Sequence, residues 1–480
     1  MTISGLLKQS EGKTLEFKRD VSSPRNILKT VVAFANTAGG VLLIGVDNKT
    51  RKPVGIADPL EEEERLCNLI ADAVMPRLVP NVEITTVEGK TLLLVEVFLS
   101  SLRPHWLKSE GPEKGVYVRL GSTNRQADRE LIAELRRSVE GVSFDEMPMP
   151  DLSIDDLDLD AAQRAFFGER ELNEQALLTL KLLVRDQGKT VPSKGGMLLF
   201  GHNRTFHFPD CWVQCGRFIG TDKARIFDHI EIDEPLPQSV DSIMLFLKKH
   251  AMRGADFSEV RRRDVWSIPL EPLREAVINA LVHADWSQRG GPVRVAFFDD
   301  RIEVENPGIL PPGITVEDMK QGVSKIRNPV IARVFRELRL IEQWGSGVPR
   351  IFRETKESGF PEPSIVELGL RVRFIFPLAK KIVVEEQLEF QTGSPTQSPT
   401  QSTDPVIRLL SALVDGPLSS GELRKRLNLK HRPTFRENYL HPALEKGYIE
   451  MTIPEKPSSR LQKYRLTEKG KRAIRKGEVE

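Results

Sequence analysis

The best-ordered hydrophobic pattern in the chain lies at Arg274–His283. Ala276, Val277, Ala280 and Leu281 fall on one side of a helical wheel, while Glu275, Asn279 and His283 recur every fourth residue on another. The spacing predicts an amphipathic helix that sets a carboxylate, a carboxamide and an imidazole in one row. Val293–Phe298 and Arg301–Glu305 then read as two strands joined by an Asp299-Asp300 turn. The second runs into Asn306-Pro307-Gly308, where the fixed φ of Pro and the permissive backbone of Gly can bring main chain close to a flat ligand. Further on, Gln343-Trp344-Gly345-Ser346-Gly347-Val348 predicts a glycine loop ahead of a helix.

The flanking segments follow simpler patterns. Asn26–Phe34 reads as a helical run, and Ala35-Asn36-Thr37-Ala38-Gly39-Gly40 as a turn into the apolar strand Val41–Val46, ended by Asp47. In the middle we expect a helix at Asn173–Val184, a strand into a turn at Met197–Gly201, a strand at Cys211–Gly220 and a helix at Ser239–His250. Residues 391–404 are a Pro/Ser/Thr/Gln linker with nothing to pack. Beyond it come helices at Val406–Val414, at Gly421–Leu427 behind a Ser419/Ser420 cap, and at Pro433–Lys446, stopped by Gly447. Strands at Tyr448–Thr452 and Lys463–Leu466 flank the loop Pro454–Arg460. Three helices, a strand, a loop and a strand make the order of a winged helix.

Composition narrows the class. A length of 480 residues implies about three or four domains. Charged residues at 29% and a mean hydropathy of −0.30 describe a soluble chain. No apolar run approaches the ~20 residues of a membrane span, and the first residues lack the apolar core of an export signal, so we expect a cytoplasmic protein with no membrane partner. Cys67, Cys211 and Cys215 are too few and scattered for a disulfide framework, and Cys211-x3-Cys215 lacks a second ligand pair for zinc. Charge is uneven: residues 404–480 hold 17 Lys and Arg against 10 Asp and Glu, a net +7 within a chain of +2. Such a tail suits nucleic acid, although a basic run is often only a solvated face. Lys430, Arg432, Thr434, Arg436 and Asn438 cluster where a recognition helix would meet base edges, with Arg460 and Lys463 on the wing near phosphate.

The row on the central helix suits one chemistry. A Glu can orient or deprotonate a water, and an Asn oxygen can hold a Mg²⁺ that keeps most of its own waters. A glycine loop before a helix offers backbone N–H groups to phosphate. Alone, the row could be a solvated stripe and Gly-Ser-Gly is a weak signal; the ordered set is stronger. Glu275-x3-Asn279, Asn306-Pro307-Gly308 and Gly345-Ser346-Gly347 resemble the N box and two glycine boxes of the GHKL ATPase fold, in its divergent branch of transcriptional regulators. The resemblance implies ATP and Mg²⁺ as cofactors, Asn279 as the metal ligand and Glu275 as the base of a weak ATPase. It implies Asn306 and Gly308 beside adenine, Gly345, Ser346 and Gly347 at the phosphates, and Lys325 and Arg327 in a basic lid segment; His283 completes the binding face. One departure matters: where the family has Asp-x-Gly-x-Gly, this chain has Asn306 and a single Gly.

A second constellation sits at the N-terminus. Glu11-Gly12-Lys13-Thr14-Leu15-Glu16-Phe17-Lys18, then Ala-Phe-Ala-Asn-Thr-Ala-Gly-Gly and Ile44-Gly45-Val46-Asp47, closely resemble the Schlafen AlbA-2 domain over residues 10 to 128. In the animal members a carboxylate trio cleaves RNA, and the matching positions here are Glu11, Glu16 and Asp47. Such a trio can hold hard divalent ions, or Glu16 can simply pair with Lys18. Lys18, Arg119 and Arg125 would instead contact nucleic-acid backbone.

These readings give an α+β multidomain chain. We expect an AlbA-2-like α/β domain at 1–130, an α+β connector at 160–262, a GHKL-like α/β sandwich at 263–380, a linker at 381–403 and a winged helix-turn-helix at 404–480. The expected function is an ATP-binding, DNA-binding transcriptional regulator in which nucleotide state controls DNA engagement, and the resemblance implies a homo-oligomer closed by nucleotide. The alternatives are a metal-dependent nuclease acting on RNA or DNA through the N-terminal carboxylates, and a scaffold whose glycine loops only shape an interface.

Overall fold

The computed structural model describes residues 2–166, 172–256, 263–341, 347–382, 405–414, 416–427, 435, 439–455 and 462–476. They fall into two units, Met1–Glu386 and Gln387–Glu480, each mixing helices with sheet.

The first unit begins with a four-stranded sheet. Leu15–Lys18 runs parallel to Gly40–Ile44, and the helix Pro24–Thr37 makes the crossover that a parallel pair requires. Gly40–Ile44 pairs antiparallel with Lys90–Val97, which pairs with Asn81–Val87. Glu88 and Gly89 join the last two at φ 51° and 72°, the left-handed pair a two-residue hairpin favours. The helix buries Val31, Val32 and Phe34 against Leu42, Leu93 and Val95.

The turn expected over Ala35–Gly40 starts later, because Ala35, Asn36 and Thr37 end the helix Pro24–Thr37, and the segment acts as a clamp. Asn36 donates to the His105 and Tyr117 carbonyls at 2.9 Å each and accepts from the His105 N–H at 2.7 Å. Thr37 Oγ1 accepts from the Arg119 N–H at 2.9 Å. Gly39 sits at φ 73°, and a Cβ there would stand 2.9 Å from the Val97 carbonyl oxygen. Only glycine fits that turn.

The rest of the unit is built on a six-stranded sheet. Its order is Ile226–Ile232, Val213–Phe218, Val293–Phe297, Arg301–Pro307, Arg371–Pro377, Ser364–Glu367. Val213–Phe218 runs parallel to Val293–Phe297, so the sheet crosses the boundary expected at 262. The helices Leu236–His250, Leu270–His283, Pro329–Glu337 and Gly347–Glu357 share one apolar core with it.

Two expected elements differ. Met197–Gly201 is not a strand: Lys194–Phe200 is a helix, capped by Ser193 Oγ on the Gly196 N–H at 2.9 Å. Its residues are buried on all sides, so the run carries no helical period to read. The helix expected over Asn173–Val184 stops at Thr179. Lys181 adopts φ 58°, and Leu183–Asp186 forms a hairpin with Lys189–Pro192 through Gln187-Gly188, both also at positive φ.

In the second unit Ser419 and Glu422 form a reciprocal cap on the helix Ser420–Arg426. That helix and Pro405–Ala412 enclose Leu409, Leu410, Leu423, Phe435 and Ala443. A three-stranded antiparallel sheet is ordered Leu418–Ser419, Lys463–Leu466, Ile449–Met451. The start of the expected third helix lies outside the described residues, which show His441–Glu445, and a further helix, Glu468–Lys476, follows the sheet. Among the described residues no helix is long and apolar enough to cross a membrane.

The clamp yields a stability prediction. Asn36→Ala leaves three buried backbone groups without partners, and we expect a loss of about 2–4 kcal/mol. Urea denaturation followed by circular dichroism measures it; a loss under about 1 kcal/mol would mean that solvent replaces the amide.

Candidate functional site

The helix Leu270–His283 packs beside Gly347–Glu357 and against the strand Arg301–Pro307. Its four-residue spacing brings Glu275, Asn279 and His283 to one cavity of about 140 Å³. The strand end adds Asn306, the segment after it Ile309 and Leu310, and the neighbouring strand Val372 and Phe374. Lys325, Gly347 and Arg350 also line this space. One part of the wall is therefore apolar and suited to a flat ring, and another carries charge.

Glu275 is held from two sides. Asn279 Nδ2 donates to the Glu275 carbonyl at 2.8 Å and to Oε1 at 3.0 Å. Both contacts use the amide nitrogen, so Oδ1, the atom a hard cation would take, stays outside them. Arg350 pairs with Glu275 Oε2, leaving Glu275 only 7% exposed. Gly347, the first described residue of its helix, lies so close by that an added Cβ would stand 2.2 Å from Glu275 Oε1. The backbone must touch the carboxylate there, which explains that glycine.

The other cavity residues have modest ties. Asn306 is buried and its Nδ2 donates to the Pro307 carbonyl at 3.1 Å. Lys325 Nζ donates to the Pro312 carbonyl at 3.3 Å, and burial draws its pKa down. His283 is partly buried, and loss of hydration pushes its imidazole down to about 4, so it is neutral at ordinary pH.

Two expected ligand residues lie elsewhere. Gly308 does not line the cavity: at φ 104° it makes room for Asp285, whose Cβ would be 2.8 Å from an added Cβ. Arg327 is buried against Glu134 and the Ile309 carbonyl and faces a neighbouring cavity of about 240 Å³. Desolvation pulls its guanidinium down to about 10. Gly345 and Ser346 lie outside the described residues.

The N-terminal carboxylates are not brought together as a metal group, and among the described residues no cluster of three or more His, Cys, Asp or Glu could hold one. Glu11 Oε1 accepts from the Phe17 N–H at 2.8 Å. Asp47 closes its own loop on Thr50 at 2.8 Å, a bond that holds its carboxyl below the usual range. Glu16 pairs with Lys18 and with Arg119. The expectation that Arg119 contacts nucleic-acid backbone needs correction: it is 1% exposed, and also bonds the Gly12 carbonyl at 3.0 Å and Asn124 Oδ1 at 3.0 Å. Arg125 is exposed. In the second unit Lys463 is exposed, while Lys430, Arg432, Thr434, Arg436, Asn438 and Arg460 lie outside the described residues.

Sequence reasoning passed over two cations that line the cavity, Arg336 and Arg350. For Arg350 a signal existed: it stands three residues past Gly347, within the first turn of a helix.

Three family models match the chain. Residues 11–128 match the one described as "Schlafen, AlbA_2". Residues 290–376 match HATPase_c_4, described as "Putative ATP-dependent DNA helicase recG C-terminal", which starts after the helix bearing Glu275 and Asn279. Residues 404–467 match "Filamentation induced by cAMP protein Fic-like, C-terminal domain". No curated protein matches. Among solved structures, a protein from Corynebacterium diphtheriae is 18% identical, covering 95% of each chain at a TM-score of 0.40. The N-terminal domain of a RecG-related protein from Nitrosomonas europaea is 31% identical over 26% of this chain and 94% of that one, at 0.23. A Fic family protein from Desulfovibrio desulfuricans is 17% identical over 71% and 77%, at 0.14. At such TM-scores the superpositions carry no argument. The AlbA-2 and GHKL-type resemblances read from the motifs agree with the family models. The chain thus carries, in order, regions matching a Schlafen AlbA_2 domain, a RecG C-terminal HATPase-like domain and a Fic-like C-terminal domain, of which the first two support nucleotide binding and point towards nucleic acid.

Proposed function

We propose that this chain is an ATP-binding, DNA-binding transcriptional regulator in which nucleotide state controls DNA engagement. The observation that carries the reading is the single cavity where Glu275, Asn279, Asn306, Lys325 and Gly347 meet beside an apolar wall. The residues present fit ATP and Mg²⁺. Ile309, Leu310, Val372 and Phe374 suit a base, the uncommitted Oδ1 of Asn279 suits a hard cation, and the helix start at Gly347 suits phosphate. When bound, ATP·Mg²⁺ would supply a polyanion and a cation whose contacts differ between an open and a closed state. Asn306 would face the base, and Lys325 would bring positive charge to the phosphates.

The DNA end of the reading is the second unit, taken as a winged helix on its element order and the net charge of +7 over residues 404–480. Lys430, Arg432, Thr434, Arg436 and Asn438 would read bases, with Arg460 and Lys463 on phosphate. Arg125 and the AlbA_2 region would add a second contact. A cytoplasmic homo-oligomer closed by nucleotide completes the proposal. The nuclease alternative is weaker because Glu16 is committed to the buried Arg119. Taking either partner away strands a buried charge, the mark of a structural pair.

Isothermal titration with ATP and Mg²⁺ tests the site. Asn279→Ala should weaken binding about tenfold or more with the melting temperature little changed, and nucleotide should then alter the DNA affinity of wild type. Unaltered ATP binding by the variant would remove Asn279 from the site.

His283 adds a pH dependence. Its folded pKa is lowered to about 4 from an ordinary 6.5, so the unfolded chain takes up the proton first. Stability from the neutral imidazole is complete above about pH 6.5 and is lost as pH falls towards 4, by up to about 3 kcal/mol. Urea titrations should show His283→Gln losing less stability than wild type across that window; equal slopes would place the ring in water.

A further inference from the structure

Arg350 stands in the first turn of Gly347–Glu357 and lines the cavity with two other cations, Lys325 and Arg336. Among the described residues lining it, Glu275 is the one carboxylate. Both its oxygens are engaged, Oε1 by Asn279 at 3.0 Å and Oε2 by Arg350. Arg350 also lies 3.9 Å from Glu354, one turn along its own helix, and its side chain is 24% exposed. Arg350 is therefore paired but not entombed, whereas Glu275, its side chain 9% exposed, would be left with the neutral Asn279 amide if Arg350 turned away, so only a ligand that binds the guanidinium more strongly can open the pair.

Consider a phosphate chain laid along the helix start at Gly347. Each phosphate is drawn there by backbone N–H groups and the helix dipole. One that extends to Glu275 meets a like charge unless a cation comes between. A guanidinium can offer a phosphate two parallel N–H donors, whereas its contact with Glu275 uses the single oxygen Oε2. Phosphate should win the competition.

We propose that Arg350 is the residue by which this cavity tells a nucleoside triphosphate from a diphosphate, exchanging the Glu275 carboxylate for the terminal phosphate. The inference rests on the nucleotide reading above and deepens it. A diphosphate occupies the helix start and leaves the Arg350–Glu275 pair closed. A triphosphate opens the pair and releases Glu275 Oε2. The state of one ion pair thus reports which nucleotide is present.

The test uses the full chain with Mg²⁺, titrated with ADP and with the β,γ-imido analogue of ATP, which cannot turn over. Wild type should prefer the triphosphate analogue. Arg350→Met keeps the apolar stem but drops the charge; it should weaken the analogue about tenfold or more and leave ADP within about twofold. Arg350→Lys should recover part of the loss. Glu275→Gln removes the competing charge and should strengthen binding of the analogue. A merely structural pair predicts otherwise: Arg350→Met would weaken both nucleotides equally, or Arg350→Met and Glu275→Gln would move affinity in the same direction. Either result overturns the assignment. Thermal melts certify each variant, and if Arg350→Met does not fold, the Lys and Gln variants decide alone. Wild type that is folded but binds neither nucleotide overturns the cavity assignment itself, a failure visible without any variant.

Discussion

A buried pair between Lys13 and Glu367 fixes the cavity in place. The two side chains are 9% and 5% exposed and meet at 2.7 Å, although 354 residues separate them in the chain. Glu367 Oε1 also accepts from the Leu310 N–H at 2.8 Å, so one carboxylate ties the AlbA_2 region, an edge strand and the cavity wall together. Burial pulls the Lys13 pKa down and Glu367 pulls it back, the balance expected of a charge that survives only through its partner. The same wall is fastened elsewhere. Ile309 enters the apolar cluster of Val118, Leu131 and Leu135, Gly313 donates to the Thr37 carbonyl at 2.8 Å, and Arg327 holds Glu134. Packed contacts of this kind move in discrete steps and not by degrees. A shift of residues 309–327 around a ligand would be felt directly by the AlbA_2 region.

How much of this was legible in the sequence depends on the range of each signal. Glu275, Asn279 and His283 could be placed on one face because helical spacing is a local rule. Asn306 and Gly347 followed from turn chemistry beside that helix. Arg350 could not be placed, because its partner lies 75 residues away and on another helix. The parallel pairing of Val213–Phe218 with Val293–Phe297 was equally hidden, since nothing near either strand announces the other. Met197–Phe200 failed for a different reason: a run buried all round has no periodicity, so strand and helix look alike.

The N-terminal motif shows the limit of residue chemistry without geometry. A carboxylate near a lysine reads equally as half a metal site or half an ion pair. Arg119 decides the matter for Glu16, from 103 residues along the chain. The residue types at Ala35–Gly40 predict a turn, yet Asn36 and Thr37 end the helix Pro24–Thr37 and the chain turns only at Ala38 and Gly39. Their weight in the fold comes from distant backbone at His105, Tyr117 and Val97, which no local pattern encodes.

The electrostatics of the cavity favour recognition over turnover. A general base needs a carboxylate oxygen within reach of water, and before any ligand arrives Glu275 has one oxygen on Asn279 and the other on Arg350. At the opposite wall, Asn306 supplies a neutral carboxamide where the related fold uses a carboxylate, so the base would be held by hydrogen bonding and apolar contact without a charge. His283 adds no proton donor near neutral pH, because burial keeps it uncharged. What remains is a cavity lined, among the described residues, by three cations and one carboxylate and walled by a segment locked to the AlbA_2 region. Charge of that sign would attract a polyphosphate, and under the proposed function the locked wall would pass its arrival on to the AlbA_2 region. Those are the requirements of the proposed switch, and none of them depends on hydrolysis.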